Sequence, residues 1–255
     1  MTNAVPRPVA DSDDVQRFML ARAQRGVQSG PFSLILSRGD ADPYGNYAIP
    51  ALGAAPTRAE ITDLEEVFRS RGRMPRLEYV PAAAPAVEAA LTAAGFEVEL
   101  WPPLMTRRAD AAPAQPFAGG FAPTFVTGPG ADLDAAVAVQ AAALGGDDAA
   151  GRWMADVPAR GGRLLLARET AIGAPAGVGA TLGPLDGITE VVGIGVAPAF
   201  RRRGLGQAIT ARLAESAFDA GCALVFLTAA GEPQAAIYER AGFIRQPPML
   251  FISKR

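Results

Sequence analysis

The chain has 255 residues, of which 49% are hydrophobic and 20% are charged, and its net charge at neutral pH is −2. This composition is typical of one large or two modest globular domains, and it excludes a disordered chain or one built around a basic nucleic-acid surface. The sequence has no histidine and a single cysteine, Cys222, which excludes Ser-His-Asp and Cys-His catalysis, histidine-ligated metals and an internal disulfide.

The N-terminal segment MTNAVPRPVADSDD is polar and lacks the apolar stretch of a signal peptide. No later apolar run approaches the length of a membrane span. A single cysteine is what a reducing compartment favours. We therefore expect a cytoplasmic protein that does not contact a membrane.

Two segments of the chain resemble each other. LEYVPAAAPAVEAALTAAGFEVELWPPLM, which begins at Leu77, lies without a gap over LVFLTAAGEPQAAIYERAGFIRQPPMLFI, which begins at Leu224. Each predicts a short strand, a turn, an amphipathic helix, a Gly-Phe pair, a Pro-Pro pair and a second short strand. We therefore predict a duplicated domain. Residues 1–110 form the first copy, residues 111–122 a Pro/Ala/Gly-rich linker, and residues 123–255 the second copy.

The second copy predicts strands and helices in an order typical of a mixed sheet. Leu205, Ile209, Leu213 and Ala217 recur every fourth residue and predict one helix stripe, which Gly221 ends. A strand–helix–strand unit of this length implies parallel pairing by a right-handed crossover. The predicted strands are Pro123–Thr127, Gly162–Arg168, Val178–Leu182, Thr189–Val196 and Cys222–Leu227, and the other helices are Ala131–Leu144 and Pro233–Ala241. The fold class is α/β (α+β), with two domains that are each a mixed, partly antiparallel sheet flanked by helices.

The stretch FRRRGLGQAIT, Phe200–Thr210, joins three arginines to two glycines and a helix. The first N–H groups of a helix have no intrahelical partner and carry a partial positive charge. Glycines allow a phosphate to approach them, and arginines add charge and donors. We interpret the loop as a pyrophosphate site, with a solvated basic loop as the alternative. Its spacing fits neither the G-x-G-x-x-G fingerprint nor the P-loop.

The strand before this loop carries two glycines. Alternation along it predicts Gly193 and Gly195 on one face, and Glu190, Val192, Ile194 and Val196 on the other. Because glycine weakens a strand, two of them indicate close approach by a ligand or another backbone.

Two motifs at this point resemble the GNAT superfamily of N-acetyltransferases. Arg-x-x-Gly-x-Gly at Arg201–Gly206, five residues past a strand that ends Ile194-Gly195-Val196, resembles the family's acetyl-CoA motif. IYERAGF, Ile237–Phe243, resembles its last helix. The resemblance covers about residues 123–255, and the internal repeat extends a GNAT-like fold to the first copy.

The resemblance implies roles for specific residues. The backbone N–H groups of Arg202–Gln207 would bind the pyrophosphate, the main chain of Ile194–Val196 the pantetheine arm, and Tyr238 would donate a proton to the departing thiolate. Many members have an asparagine where this chain has Gly231, so that pantetheine contact is missing or supplied otherwise. The predicted coenzyme-binding residues are Ile194, Gly195, Val196, Arg201, Arg202, Arg203, Gly204, Leu205, Gly206 and Gln207.

Each of the other candidate site residues has both a functional and a purely structural interpretation. Glu190 lies where the histone-acetylating branch has its glutamate base, but it could equally be a surface carboxylate. Trp153 and Met154 line an acceptor pocket or belong to the core. We predict no catalytic role for Cys222, acetyl-CoA as co-substrate, and no metal.

The first copy lacks the corresponding chemistry. Leu91 stands in the place of Tyr238, and PALGAAP, Pro50–Pro56, has no Arg-x-x-Gly-x-Gly before its helix. We expect a degenerate GNAT-like domain without coenzyme, which packs on its sister or forms a wall of the acceptor cleft.

The sequence thus favours an acetyl-CoA-dependent N-acetyltransferase that transfers acetyl from the thioester to a primary amine by direct attack. The acceptor is a small-molecule amine or a protein N-terminus, and the oligomeric state is left open. The alternative is a non-catalytic acyl-CoA-binding or regulatory module. A nucleic-acid binder that uses Arg201–Arg203 is disfavoured by the overall acidity.

Overall fold

The computed structural model describes residues 8–24, 26–37, 45–110, 116–145 and 148–255. The chain forms two compact units, and the first contains Met1–Leu104 and Gln246–Arg255 while the second contains Met105–Arg245. Among the described residues no helix is long and apolar enough to cross a membrane. The helices are α1 (Pro8–Ala23), α2 (Arg58–Arg69), α3 (Val87–Ala93), α4 (Ala131–Leu144), α5 (Leu205–Asp219) and α6 (Glu232–Arg240).

Thirteen strands are found in the described residues. They are β1 (Val27–Ser29), β2 (Phe32–Leu36), β3 (Asn46–Pro50), β4 (Arg76–Tyr79), β5 (Glu97–Leu100), β6 (Leu104–Arg108), β7 (Phe121–Val126), β8 (Arg163–Glu169), β9 (Pro175–Thr181), β10 (Ile188–Val196), β11 (Leu224–Thr228), β12 (Ile244–Arg245) and β13 (Leu250–Ser253). The first sheet has the order β1-β2-β3-β4-β13-β5, and the second has the order β12-β6-β11-β10-β9-β8-β7. Both sheets are mixed, because β3 pairs parallel with β4 and β10 pairs parallel with β11. The predicted fold class is therefore confirmed.

The two sheets have the same order of strands and helices, and each contains one strand that comes from the other half of the chain. The segment β3-α2-β4-α3-β5 has the same order as β10-α5-β11-α6-β12. Strand β13, from the end of the chain, lies between β4 and β5, whereas β6 lies between β11 and β12. Each sheet therefore takes one strand next to its edge from the other half of the chain.

This exchange changes the division of the chain. The predicted boundaries assigned residues 105–110 to the first copy and residues 246–255 to the second, but the structure has them the other way round. The predicted linker, residues 111–122, lies partly outside the described residues, and its last two residues belong to β7.

In the second unit, helices pack on both faces of the sheet. The stripe Leu205, Ile209, Leu213 and Ala217 of α5 is buried against Leu165 and Val225 on one face. On the other face, Ala136 and Val139 of α4 pack against Leu164, Leu166 and Val178. The sequence signals for both helices are correct, and α4 ends at the left-handed Gly145, with a φ of 69°.

In the first unit, the buried side chain of Gln16 bridges the parallel strands β3 and β4 at the point where they stop pairing with each other. The amide nitrogen of Gln16 on α1 donates to the carbonyl of Pro50 at 2.7 Å, and its Oε1 accepts from the backbone N–H of Val80 at 2.9 Å. Gln16 is fully buried. Its amide therefore satisfies the backbone groups of β3 and β4 where these strands separate.

Candidate active site

The second unit contains a cavity of about 860 Å³ at the end of β10. Its walls come from the last turn of α4, the end of β10, the loop that follows, the first turn of α5, and α6. All the residues predicted to bind coenzyme line it except Arg203, and Tyr238 lines it as well. Residues far apart in the sequence are thus brought to one place by the fold.

The cavity lies where β10 and β11 stop pairing. Ile188–Glu190 of β10 pair with Leu224–Phe226 of β11, whereas Ile194–Val196, farther along β10, line the cavity. On its other edge β10 remains paired with β9, where Gly195 lies opposite Val178. The β11 side of Ile194–Val196 therefore offers main-chain groups to a ligand.

A β-bulge between Val192 and Gly195 changes the direction of the side chains in β10. Gly193 at this bulge has a φ of +62°. Val192 packs with the α4 side of the sheet, whereas Ile194 and Val196 pack with the α5 side. The predicted alternation is therefore wrong, because a bulge inserts one residue into the two-residue period. Glu190 and Val192 lie on the α4 face, with Gly193 and Gly195.

The first turn of α5 presents unpaired backbone donors. The first intrahelical hydrogen bond runs from the N–H of Ala208 to the carbonyl of Gly204 at 3.1 Å. Gly204 has a φ of 76° and provides no side-chain cap. The N–H groups of Leu205, Gly206 and Gln207 therefore have no intrahelical acceptor, and these residues line the cavity. Unpaired N–H groups and the helix dipole together favour an anion at this position.

The three arginines of the loop differ in their contacts. Arg201 donates to the carbonyls of Val196 at 3.2 Å and Ala143 at 2.9 Å, so its guanidinium joins β10 to α4. Arg203 pairs with Glu169 at 3.3 Å, and its guanidinium carbon lies 4.4 Å from the ring centroid of Phe121. Arg203 is not among the cavity-lining residues, because these contacts hold it elsewhere.

Arg202 is exposed and, unlike the other two arginines, has a left-handed backbone. Its φ of 62° is in the left-handed region, which costs a non-glycine residue about 1 kcal/mol. Its side chain lines the cavity. A strained backbone at a cavity rim is typical of functional loops.

Tyr238, the predicted proton donor, lies on α6. It is half-buried against the core beneath α5 and lines the cavity. Burial raises the pKa of its phenol above the ordinary value, because the low-dielectric surroundings disfavour the phenolate. The side chain is therefore a neutral hydrogen-bond donor at physiological pH.

The remaining candidates are placed apart from the cavity wall. Glu190 is not a lining residue of the cavity. Met154 is fully buried in the core on the α4 side, whereas Trp153 is 39% exposed, and a Cβ added at Gly193 would lie 2.6 Å from its ring. Cys222 is buried, and burial raises the pKa of its thiol, as expected for a residue without a catalytic role.

Three polar side chains near the cavity were not predicted. Gln234 and Arg240 line it from α6, and the Oε1 of Gln234 lies 3.7 Å from the position of a Cβ added at Gly231. Gln140 on α4 is buried beside Gly195, and its Oε1 has no hydrogen-bond partner among the described residues. Arg240 lies two residues after Tyr238 within the quoted IYERAGF motif, which was the only available signal.

Comparison with known proteins decides the family of this unit. Residues 145–243 match the family model described as Acetyltransferase (GNAT) family. Residues 145–243 therefore form a domain of the GNAT family. Acetyl transfer from a coenzyme A thioester is the general activity that this assignment supports, and the matched residues include the whole cavity wall except Ala143 and Leu144.

Solved structures with the same fold extend over both units. A GCN5-related N-acetyltransferase from Kribbella flavida has a TM-score of 0.78 at 24% identity, covering 95% of each chain. One from Sphaerobacter thermophilus has a TM-score of 0.65 at 18% identity, covering 98% of this chain and 96% of its own. A tandem GNAT protein from the clavulanic acid biosynthesis pathway has a TM-score of 0.59 at 20% identity, covering 82% and 77%. No curated protein sequence matches the chain.

Two of the three glycines that line the cavity, Gly195 and Gly206, predict different effects of an added methyl group. A Cβ at Gly195 would lie 2.6 Å from Oε1 of Gln140 and 3.0 Å from the Cβ of Ala143, whereas a Cβ at Gly206 meets nothing closer than 3.9 Å. We expect Gly195→Ala to lower the free energy of unfolding by about 1–3 kcal/mol, because α4 must move away from β10. Gly206→Ala should leave it within about 0.5 kcal/mol. Urea unfolding of the two variants measures the difference, and equal stabilities would contradict the packing at Gly195.

Proposed function

We propose that the chain is an N-acetyltransferase with one active site, which uses acetyl-CoA as its donor and a primary amine as its acceptor. One observation carries the proposal: the unpaired N–H groups that begin α5 open into the same cavity as a neutral, half-buried tyrosine. An anion site beside a proton donor fits a donor substrate that carries a pyrophosphate and releases a thiolate.

The coenzyme-binding residues divide into two groups. The backbone of Arg202–Gln207 would hold the pyrophosphate, because its N–H groups are unpaired and the dipole of α5 is directed along them. The main chain of Ile194–Val196 would pair with the pantetheine arm as a further strand pairs with a sheet edge. Arg201 supports both groups, because it joins the end of β10 to α4.

Gln234 is a candidate for the pantetheine contact that an asparagine makes in many family members. Gly231 carries no side chain, but the amide of Gln234 folds back to within 3.7 Å of where a Cβ of residue 231 would lie. Gln234 also lines the cavity. We propose that Gln234 supplies the pantetheine contact that position 231 cannot supply.

Acetyl transfer requires a neutral amine and a stabilised thiolate. The acceptor nitrogen forms the new C–N bond, the C–S bond breaks, the amine loses a proton, and Tyr238 donates toward the sulfur. An alkyl amine with a pKa near 10.4 costs about 4.6 kcal/mol to deprotonate at pH 7, so a base is useful. Glu190 lies on the α4 face of β10, the face that bears Gly193 and Trp153. Because it is outside the cavity wall, we propose that it acts through a relaying water.

The first unit is proposed to bind no coenzyme. At the separation of β3 and β4, the position that the cavity occupies in the second unit, the side chain of Gln16 already satisfies the backbone of Pro50 and Val80. These two backbone groups are therefore already paired where a pantetheine arm would otherwise bond to them. This supports a degenerate first copy.

Calorimetric titration with coenzyme A tests the proposal. We expect the wild type to bind and Gly206→Glu to lose at least a hundredfold in affinity, because a carboxylate replaces the anion at the start of α5. Gly119→Glu is the matched control, since Gly119 has open space around it and lies outside the cavity wall. A wild type that does not bind coenzyme A would overturn the proposal. Release of thiol from acetyl-CoA with an amine panel then separates the enzyme from the alternative, a non-catalytic acyl-CoA-binding module.

A further inference from the structure

Two of the arginines that line the cavity have guanidinium groups that take part in none of the contacts described above. Arg202 lies in the loop before α5 and Arg240 in the last turn of α6, and both line the cavity. Both are exposed, and among the described residues neither forms an ion pair. By contrast, Arg201 is bound to two carbonyls and Arg203 to Glu169.

The acidic residues of α6 do not neutralise Arg240. Glu232 and Glu239 both bind Arg245, at 2.8 and 2.6 Å. None of the described residues that line the cavity is acidic, whereas three of them are arginines. The cavity therefore has a surplus of positive charge in addition to the dipole of α5.

The backbone of Arg240 is fixed next to the anion site. The Nε2 of Gln207, in the first turn of α5, donates to the carbonyl of Arg240 at 3.0 Å. This bond holds the end of α6 beside the start of α5, so the side chain of Arg240 begins within reach of a ligand held there. Arg202 begins two residues before Gly204, the N-cap of the same helix.

The number of positive groups exceeds what a pyrophosphate requires. A pyrophosphate diester carries about two negative charges, whereas the three arginines that line the cavity and the dipole of α5, which is equivalent to about half a positive charge, supply more than three positive charges. A phosphate monoester adds about 1.5 to 2 further negative charges at pH 7. Two guanidiniums on separate elements suit such a group, because each can donate a forked pair of hydrogen bonds.

We propose that Arg202 and Arg240 form a second phosphate subsite that binds the 3′-phosphate on the ribose of coenzyme A. This inference rests on the proposed function, since it assumes that the coenzyme occupies the cavity. The subsite makes the protein select free coenzyme A thioesters over donors without that phosphate, such as a phosphopantetheine arm on a carrier protein.

Calorimetry with coenzyme A and 3′-dephospho-coenzyme A tests the subsite. We expect the wild type to bind coenzyme A at least about tenfold more tightly than the dephospho form at low salt, with a smaller ratio at high salt because the groups are exposed. Arg240→Gln and Arg202→Gln should each reduce this ratio, and the double variant should bring it close to one. The affinity for dephospho-coenzyme A should change less than about twofold. Arg160→Gln, which removes an exposed arginine paired with Asp156, is the matched control and should keep the wild-type ratio.

Each other result has a distinct meaning. Equal affinities of the wild type for the two coenzymes would overturn the subsite while leaving the proposed function in place. Equal weakening of both coenzymes in the variants would also overturn it, because the arginines would then act on the shared pyrophosphate. Failure of the wild type to bind either coenzyme would instead reject the proposed function itself.

Discussion

Tyr238→Phe is expected to lower kcat for acetyl transfer by about 10²–10³-fold, which is the usual effect of removing one donor to developing charge. The phenol lines the cavity and is half-buried, and its hydroxyl is the proposed donor to the departing thiolate. The affinity for coenzyme A should stay within about twofold, because the pyrophosphate contacts lie on α5. Steady-state thiol release and calorimetry on the same preparation measure both quantities.

The pH profile distinguishes a proton donor from a merely structural tyrosine. Because burial raises the pKa of Tyr238, the phenol stays protonated over about pH 6–9, and its ionisation should not reduce the rate in that range. Any basic limb from this residue lies above the ordinary value near 10 and should disappear in Tyr238→Phe. A variant that keeps the wild-type kcat, or loses coenzyme affinity in proportion to its rate, would contradict the assigned role.

Removal of residues 250–255 is expected to unfold the first unit, although most of that unit lies at the other end of the chain. Strand β13 lies between β4 and β5, so its loss breaks the sheet in two. Leu250 and Ile252 are fully buried in that unit's core, and each such side chain contributes about 2–5 kcal/mol. Lys254 also donates to Glu65 at 2.7 Å and to the carbonyl of Ala94 at 2.9 Å. The summed loss is comparable to the whole stability of a domain, about 5–15 kcal/mol.

A point variant makes the same test without truncation. Ile252→Ala should lower the free energy of unfolding by about 2–5 kcal/mol, whereas Ile244→Ala, at a position 47% exposed on β12, should change it by less than about 0.5 kcal/mol. Urea unfolding with limited proteolysis of the first unit measures the effect. A truncated chain whose first unit resists protease like the wild type would show that β13 is not part of its sheet.

Local signals in the sequence were sufficient for the elements around the site. The four-residue stripe of α5, the glycines at its start and the Gly-Phe pair after α6 each act within a few residues of the chain. For that reason Ala131–Leu144 was predicted with the observed ends, and all but one of the predicted coenzyme-binding residues line one cavity.

The bulge in β10 and the contacts of the arginines could not be predicted from local patterns in the sequence. Alternation placed Glu190 on the face opposite Gly193, but the inserted residue at the bulge puts both on the α4 face. Arg201–Arg203 are consecutive in the sequence, yet Ala143, Glu169 and Phe121, all distant in the sequence, decide which of them reach the cavity. A run of three like side chains contains no information about such partners.

By itself the sequence determined the order of strands and helices in the second unit, the glycine-rich start of α5 and the place of Tyr238 on α6, because each depends on residues within one or two turns. Only the tertiary structure decided that β6 and β13 exchange sheets, that Gln16 satisfies the separating strands of the first unit, and that Gln207 holds Arg240 beside the start of α5. Both short strands begin with two apolar residues and follow a Pro-Pro pair. The sheet that each one joins therefore depends on competition between two similar sheet edges, which contacts distant in the sequence decide.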